Sequence, residues 1–280
     1  MRPSRIKAKL RRGEPVLVTQ LHLVDPSVFE LTSLMGFDGI WMDLEHHGYS
    51  VETAAGLIRA VRVGASDVVA RLAKGEFMRM MRLLELGAQG IMYPRCDGAA
   101  EAAEVVRWAK FAPLGQRGFD GAGPDMPYLA MPVDEYVAEA NRQTFVAIQI
   151  ESQEALREAE AIAAVQGVDV LMLGPADFSI LSGIPGQFDH PLVQEAKRTI
   201  ARAAAKAGKS WGCPSGSVEQ TRELLAAGAR FICHQADIVM VKNGLEQIRR
   251  DFAPLGFTFE GQLPFKTDGG TFAWPSSKKS

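Results

Sequence analysis

A short apolar segment followed by an amphipathic helical segment recurs eight times along this chain of 280 residues, and no other feature restricts the fold as strongly. The apolar segments are nearly continuous instead of alternating with polar residues. Such segments are typical of parallel strands that are covered on both faces. Strand and helix in regular alternation predict either a closed barrel or a doubly wound open sheet. The predicted strands are residues 15–20, 38–44, 67–72, 90–94, 144–151, 168–174, 209–213 and 230–234.

Two local patterns favour the barrel. No G-x-G-x-x-G motif follows the first predicted strand, which disfavours a dinucleotide-binding sheet. A glycine followed by alanine or valine precedes three of the strands, at Gly87, Gly167 and Gly228. We therefore predict an α/β protein with one domain, a (β/α)8 TIM barrel over residues 1–255. Residues 256–280 have no clear periodicity and are predicted to form an irregular C-terminal tail.

The connections between the strands carry their own signals. Glycines follow four helical segments, at Gly64, Gly87, Gly208 and Gly228, and are predicted to cap the helix ends. Residues 152–165 have the spacing of one continuous helix. Residues 111–143 contain a long loop rich in glycine and proline and a short helix, and long loops of this kind are usually functional.

Composition restricts the partners and the compartment. The formal net charge of −2 predicts no binding to nucleic acid or to a membrane surface. The basic residues between Arg2 and Arg12 are interpreted as a solvated surface. Cys96, Cys213 and Cys233 are odd in number and form no C-x-x-C motif, so we expect a reducing compartment and a cytoplasmic protein. We see no signal peptide and no apolar run long enough to span a bilayer.

The candidate chemistry lies where strands end, because active sites of barrels lie at the carboxyl ends of their strands. Glu151 and Asp177 end consecutive strands and are expected to be neighbours. Two adjacent carboxylates repel unless a cation lies between them, and a hard divalent ion with oxygen ligands would remove the repulsion. The alternative is that either acid only caps the following helix. From spacing alone the two interpretations are equally good.

A second group of polar residues ends the second and third strands. Asp43 could orient His46, and a histidine held in this way can move protons near neutral pH. Arg71 could bind a carboxylate or an enolate oxygen. The alternative is a structural ion pair of Arg71 with Asp43 or Glu45, which the residues alone favour slightly. The remaining candidates are interpreted as structural: His190, His234 and Cys96.

Four segments in this order resemble the HpcH/HpaI family of metal-dependent class II pyruvate aldolases: GFDGIWMDLEHH (36–47), VVARLAKGEFMRMMRLLELGAQGIMYP (68–94), FAPLGQRG (111–118) and QIESQEALREAEAIAAVQGVDVLMLGPADFS (149–179). The resemblance covers roughly residues 15 to 250. It implies reversible cleavage of a 4-hydroxy-2-oxo acid to pyruvate, or a close 2-oxo acid, and an aldehyde through a metal-bound enolate.

The resemblance also implies roles for single residues. Glu151 and Asp177 would hold Mg²⁺ or Mn²⁺, with Co²⁺ as an alternative. Arg71 would stabilise the enolate oxygen, and His46, oriented by Asp43, would move protons. The substrate pocket would also contain Gln149, Gly174, Pro175, Ala176 and Trp211, with the backbone N–H groups of Ala176 and Asp177 on the carboxylate.

The family also implies an assembly. Its members form homo-oligomers, so we expect a hexamer or a trimer with the last barrel helix exchanged between subunits, and Glu85 is expected to reach a neighbouring subunit's site. Residues 93–96 and 211–214 and the loop before strand five depart from the family pattern, which leaves the natural aldehyde open.

Three other functions are compatible with parts of the sequence. A lyase that acts on a CoA thioester would need a nucleotide site, and no basic, glycine-rich segment is present for one. Decarboxylation of a 2-oxo acid such as oxaloacetate uses the same chemistry. A barrel without catalytic function would not need the carboxylates, His46 and Arg71 together.

Overall fold

The computed structural model describes residues 1–261 and contains a closed barrel of eight parallel strands in chain order. The last strand pairs with the first, which closes the sheet. All eight predicted strands are confirmed, with ends that differ by one or two residues. They are β1 Val16–Leu21, β2 Gly39–Asp43, β3 Asp67–Arg71, β4 Gly90–Tyr93, β5 Phe145–Ile150, β6 Val170–Leu173, β7 Ser210–Ser215 and β8 Phe231–Ala236.

Helices surround the barrel and connect its strands. The first helix precedes β1, and the others follow in alternation with the strands. They are α1 Arg5–Arg11, α2 Pro26–Leu34, α3 Val51–Val61, α4 Phe77–Glu85, α5 Ala99–Ala109, α6 Val133–Gln143, α7 Gln153–Arg157, α8 Ala159–Ala164, α9 Pro175–Leu181, α10 Pro191–Lys206, α11 Val218–Ala226 and α12 Asp237–Phe252. Short 3₁₀ turns lie at Pro127–Leu129 and Ala253–Leu255. Among residues 1–261, no helix has both the length and the apolarity needed to cross a bilayer.

Two apolar layers hold the fold together. The barrel interior is filled by side chains that include Val18, Val69, Phe145 and Phe231, so it is a packed core and not a channel. A larger layer lies between the sheet and the helices. Because every strand is covered on both faces, its sequence is apolar at nearly every position.

The amino ends of the strands are closed by α1. Ile6 inserts next to Gly39, where an added Cβ would lie 2.6 Å from the Ile6 Cδ1 atom. Arg5 and Lys9 both pair with Asp38, at 2.9 and 2.8 Å. The interpretation of the Arg2–Arg12 cluster as a solvated surface is therefore wrong, because several of these cations bind the barrel.

Two details of the helical layer also differ from the sequence-based expectation. The helix predicted over residues 152–165 is divided at Glu158, whose carboxylate accepts from the Ala99 N–H at 2.8 Å and so caps α5. Gly87, Gly208 and Gly228 have positive φ as predicted for helix ends. Gly64 does not, and glycine is needed there because a Cβ would lie 2.5 Å from the Ser33 carbonyl oxygen.

The C-terminal part of the described chain presents apolar side chains to solvent. Along α12 the exposed residues include Ile238, Val241, Leu245 and Ile248. A helix of a folded domain normally buries such a stripe. The boundary predicted after residue 255 stays a prediction, and residues 262–280 of the predicted tail lie outside the described residues.

Candidate active site at the barrel mouth

Asp43 and Arg71 end two neighbouring strands and pair directly across them. Arg71 Nε donates to Asp43 Oδ1 at 3.0 Å, and Nη2 donates to Oδ2 at 2.6 Å. The Trp41 ring lies 4.5 Å from the centre of the guanidinium. Burial opposes ionisation of Asp43, but the hydrogen bonds and the charge of Arg71, together with the hydrogen bond from the Glu45 N–H, outweigh it and lower the pKa of this carboxyl. The pair is therefore ionised and fixes the guanidinium at the mouth of the barrel.

Glu45 is a further member of this group; its ion pair with Arg71 was one of the alternatives read from the sequence, but its contact with His46 was missed. Its Oε2 atom lies 3.3 Å from Arg71 Nε and 3.5 Å from His46 Nε2. Burial raises the pKa of Glu45 above its ordinary value, although Arg71 acts in the opposite direction. The signal was its place two residues after Asp43, at the same strand end.

The structure corrects the predicted pairing of Asp43 with His46. The His46 side chain is 57% exposed and its ring faces Glu45. The ring nearer to Asp43 is His47, with Nε2 4.0 Å from Oδ2. The reason is that Arg71 already occupies both oxygens of Asp43. The catalytic role predicted for His46 stays a prediction, but its orienting partner is Glu45.

His22, Asp43 and His47 form a cluster whose possible ligand atoms all lie within 4.8 Å of one another. The His22 and His47 rings are stacked, with centroids 4.1 Å apart and an angle of 24° between their planes. Lone pairs of stacked rings do not converge on one point, and the carboxylate of Asp43 is neutralised by Arg71. Burial and the neighbouring His47 lower the pKa of His22. This cluster is a poor fit for a cation.

Glu151 and Asp177 are brought to the same side of the mouth by the neighbouring strands β5 and β6. Glu151 directly follows β5 and is 2% exposed, and Asp177 lies in the first turn of α9. Burial raises the pKa of Glu151 to about 7, and the charge of Asp177 contributes to the rise. Within residues 1–261, neither carboxylate has an ion-pair partner. The two carboxylates therefore give the site a negative charge that no ion pair with a described residue neutralises.

The surroundings of Glu151 fit a divalent cation. Gln149 Nε2 donates to Glu151 Oε1 at 3.2 Å, while Gln149 Oε1 is buried without a hydrogen-bond partner among the described residues. A Cβ at Gly174 would lie 1.9 Å from Glu151 Oε1, so only glycine leaves room for the carboxylate. Two carboxylates and a spare amide oxygen are the donors that Mg²⁺ or Mn²⁺ prefers.

Pro175 and Ala176 begin α9 beside the carboxylates, as predicted for the pocket. The first N–H groups of a helix have no partner within it, which leaves those of Ala176 and Asp177 available to a ligand.

Two predicted pocket residues lie elsewhere. Trp211 is buried in the layer between sheet and helices, near Gly228 at the opposite end of the barrel, so the prediction that it contacts substrate is wrong. Glu85 ends α4, and its carbonyl oxygen accepts from the Asp125 N–H, in the loop before β5, at 3.3 Å. This places Glu85 away from its own chain's mouth, and its predicted reach into a neighbouring subunit's site stays a prediction.

The other candidates have structural partners, as interpreted from the sequence. His190 caps α10 by accepting from the Leu192 N–H at 3.2 Å. His234 Nδ1 lies 2.7 Å from the Ser215 carbonyl oxygen. Cys96, like Cys213 and Cys233, is buried and free.

The sequence matches a known family of enzymes and several of its members. The model of the HpcH/HpaI aldolase/citrate lyase family matches residues 19–243. A hydroxypyruvate/pyruvate aldolase of Pseudomonas aeruginosa is 32% identical over 249 residues, which cover 89% of this chain and 92% of that protein. A hydroxypyruvate/pyruvate aldolase of Delftia acidovorans is 34% identical over 236 residues, which cover 84% of this chain and 87% of that protein.

A solved structure agrees with these relatives. An HpcH/HpaI aldolase/citrate lyase family protein from Burkholderia cenocepacia superposes with a TM-score of 0.83 at 30% sequence identity. The superposition covers 89% of this chain and 99% of that chain.

Proposed function

We propose that this chain cleaves a 4-hydroxy-2-oxo acid reversibly to pyruvate, or a close 2-oxo acid, and an aldehyde. The reason is that it belongs to the HpcH/HpaI aldolase/citrate lyase family and is an aldolase. The observation that carries the proposal is the pair of unneutralised carboxylates, Glu151 and Asp177, at the same mouth as the fixed guanidinium of Arg71. The names of the two bacterial relatives support pyruvate-type chemistry.

Glu151 and Asp177 are proposed to hold Mg²⁺ or Mn²⁺, with Co²⁺ as an alternative, and Gln149 offers its amide oxygen nearby. When bound, such an ion supplies a Lewis acid that polarises the keto group of the substrate and a template that orients it. The backbone N–H groups of Ala176 and Asp177 are proposed to orient the substrate carboxylate.

Arg71 is proposed to stabilise the oxygen on which negative charge develops when the C3–C4 bond breaks. Two of its N–H groups are held by Asp43, which prevents the guanidinium from rotating and leaves other N–H groups for the substrate. A donor that is already in place when charge develops needs no reorganisation during the reaction.

His46 is proposed to take the proton of the C4 hydroxyl during cleavage and to return it during condensation. Its ring is half-exposed at the mouth and lies beside Glu45, which can orient it.

The proposed function is tested without any aldehyde. Pyruvate in D₂O with Mg²⁺ or Mn²⁺ is expected to exchange its C3 protons in the presence of the enzyme, as measured by NMR. Dialysis against EDTA is expected to stop the exchange, and the added ion to restore it. Full exchange after complete removal of metal would contradict the proposal.

A second measurement separates His46 from the metal site. Decarboxylation of oxaloacetate needs an enolate but no deprotonation of a hydroxyl. His46→Ala is therefore expected to lower aldol cleavage by about 10²-fold, within the usual contribution of a general base, and to retain much more of the decarboxylation. His47→Ala is the control, since its ring lies against Asp43 and His22. Equal losses in both reactions would contradict the role of His46.

The assembly is also a proposal. The exposed apolar stripe of α12 supports a homo-oligomer, a hexamer or a trimer, in which this helix packs against another subunit and Glu85 reaches that subunit's site. Light scattering after size-exclusion chromatography tests it, and a monomer at micromolar concentration would contradict it. We place the enzyme in the cytoplasm, a proposal that the three free cysteines support.

A further inference from the structure

Arg95 is fixed next to the carboxylates by an uncommon backbone conformation. It lies two residues after β4 and has a φ of 44°, in the left-handed region that a side chain disfavours. In this conformation its N–H donates to Glu151 Oε2 at 2.7 Å. The position of Arg95 is therefore coupled to the position of Glu151.

Among residues 1–261 the guanidinium of Arg95 makes only a long ion pair, with Glu45. The Arg95 side chain is 56% exposed, and Nε lies 3.7 Å from Glu45 Oε1, which is too long for a hydrogen bond. Within residues 1–261 this guanidinium donates no side-chain hydrogen bond. Glu45 is in addition shared with Arg71 and His46. A long ion pair with a half-exposed guanidinium contributes little stability and does not explain the uncommon backbone.

Lys74, the other cation nearby, is fully occupied. Its Nζ atom lies 2.7 Å from Asp97 and 3.2 Å from Glu101, and it donates to the Arg95 carbonyl oxygen at 3.0 Å. Lys74 thus holds the backbone of Arg95 while its own charge is neutralised by two carboxylates. The positive charge available to a ligand at this point is that of Arg95.

A cavity of about 290 Å³ connects Arg95 with Glu151. Its other walls are Lys74, Asp97, Ser152 and Leu181. A substrate whose 2-oxo acid end lies at Glu151 and Asp177 would extend its remaining atoms into this space. The volume is at the small end of ligand pockets, which suits a short aldehyde.

We propose that Arg95 binds an anionic group, a carboxylate or a phosphate, on the aldehyde half of the substrate. This inference rests on the proposed function, because it assigns the substrate class of the same site. A planar guanidinium binds both groups through paired hydrogen bonds, and Arg95 lines the cavity that it shares with Glu151. The preferred acceptor is therefore a short aldehyde that carries one anionic group.

Binding is measured first, with two unreactive analogues of equal chain length. 2-Oxoglutarate carries a distal carboxylate and 2-oxopentanoate a methyl group at that place. With Mg²⁺ present, calorimetry is expected to show tighter binding of 2-oxoglutarate to the wild type. Arg95→Met is expected to reduce this preference about 10-fold, the loss typical of a hydrogen bond to a charged group, and Arg95→Lys to retain part of it. Arg198→Met removes an exposed cation from α10 and serves as the matched control, with an unchanged preference. The same preference in Arg95→Met as in the wild type would overturn the inference.

Condensation with pyruvate then identifies the anionic group. The acceptors are succinic semialdehyde with a carboxylate, glyceraldehyde 3-phosphate with a phosphate, and the neutral butanal and glyceraldehyde. In Arg95→Met, kcat/KM is expected to fall for a charged acceptor and not for its neutral counterpart, and the pair with the larger change identifies the group. Equal losses for charged and neutral acceptors would overturn the inference.

The two proposals fail in different ways. Exchange of the C3 protons of pyruvate involves no aldehyde. It therefore does not depend on binding of the acceptor by the Arg95 side chain. A wild type without exchange would refute the proposed function. The role of Arg95 alone would be refuted by a different result. In that case the wild type exchanges the C3 protons, and Arg95→Met still discriminates between charged and neutral ligands as the wild type does.

Discussion

The two ends of the barrel each contain a buried carboxyl with a raised pKa, but only one of them is built to bind a ligand. Burial raises the pKa of Glu151 at the mouth to about 7 and that of Asp67 at the amino end to about 6. Both residues adjoin strands of the same sheet. A raised pKa alone would therefore mark both ends as candidate sites.

The difference lies in the neighbours of each carboxyl. Asp67 accepts from Ser4 Oγ at 2.6 Å, from the Ile6 N–H at 2.9 Å and from the Arg5 N–H at 3.1 Å, all of them in or next to α1. Glu151 accepts two hydrogen bonds and faces a second carboxylate, that of Asp177. Asp67 is thus satisfied by its own chain, whereas Glu151 still requires positive charge. This requirement distinguishes a binding site from a structural one.

Removal of the charge at the mouth is expected to have the largest effect. Glu151→Gln should abolish tight binding of the divalent ion and lower pyruvate exchange by more than the roughly 10²–10³-fold typical of losing one oxyanion donor, because both the ion and its orientation are lost. Elemental analysis and NMR exchange measure the two effects. Unchanged metal content in this variant would show that the ion binds elsewhere, for example at His22 and His47.

Loss of Arg71 is expected to have the next largest effect. Arg71→Ala is expected to lower kcat for pyruvate exchange and for aldol cleavage by about 10²–10³-fold, which corresponds to about 2.7–4 kcal/mol. Metal affinity should be retained, since Glu151 and Asp177 remain. Near-normal exchange would instead support a purely structural ion pair with Asp43.

At the opposite end the expected effect is on stability and not on activity. Asp67→Ala leaves three donors of the α1 region without their acceptor, and each buried unpaired donor costs about 1–3 kcal/mol. The free energy of unfolding, measured in urea, is expected to fall by at least about 3 kcal/mol. Metal affinity should not change, and a loss of metal binding would contradict the separation of the two ends.

The smallest effect is a pH dependence of the metal-free protein. Below pH 4.5 the Glu151 carboxyl is protonated in the folded and the unfolded states. Between about 4.5 and 7 it ionises only when unfolded, so stability falls as the pH rises, and the full cost is present above about 7. The rise of this pKa from 4.5 to about 7 corresponds to a cost of about 3 kcal/mol.

The matched variant isolates that cost. Glu151→Gln does not titrate at this position, so the metal-free variant should be more stable than the metal-free wild type at pH 8 and not at pH 4. Thermal unfolding in EDTA at both pH values measures the difference. A constant difference across this range would show that the pKa of Glu151 is the same in the folded and the unfolded protein, and would contradict the prediction.

Much of this comparison was predictable from the sequence. Continuous apolar runs identified the strands because each strand is covered on both faces, and the rule that chemistry lies at strand ends located Asp43, Arg71, Glu151 and Asp177. Because these apolar runs are continuous, the sequence does not show which face of the sheet each residue occupies. Trp211, which the resemblance implied for the pocket, faces the helices.

Other features depend on contacts between distant parts of the chain. The place of His46 beside Glu45 follows from the occupation of Asp43 by Arg71, which no local pattern reports. The break of the helix at Glu158 depends on a cap that this residue supplies to α5, more than fifty residues earlier in the chain. The left-handed backbone of Arg95 departs from what its residue type predicts, as is common near functional sites.

Substitution of Gly174 by alanine is expected to inactivate the enzyme without changing the net charge of the chain. Because a Cβ at this position would overlap Glu151 Oε1, a single methyl group would displace the carboxylate while every ionisable residue of the chain is retained. The net charge of the chain itself would stay that of the native protein. A Gly174→Ala protein is therefore a suitable inactive reference for experiments in which a charge-changing variant would confuse the result.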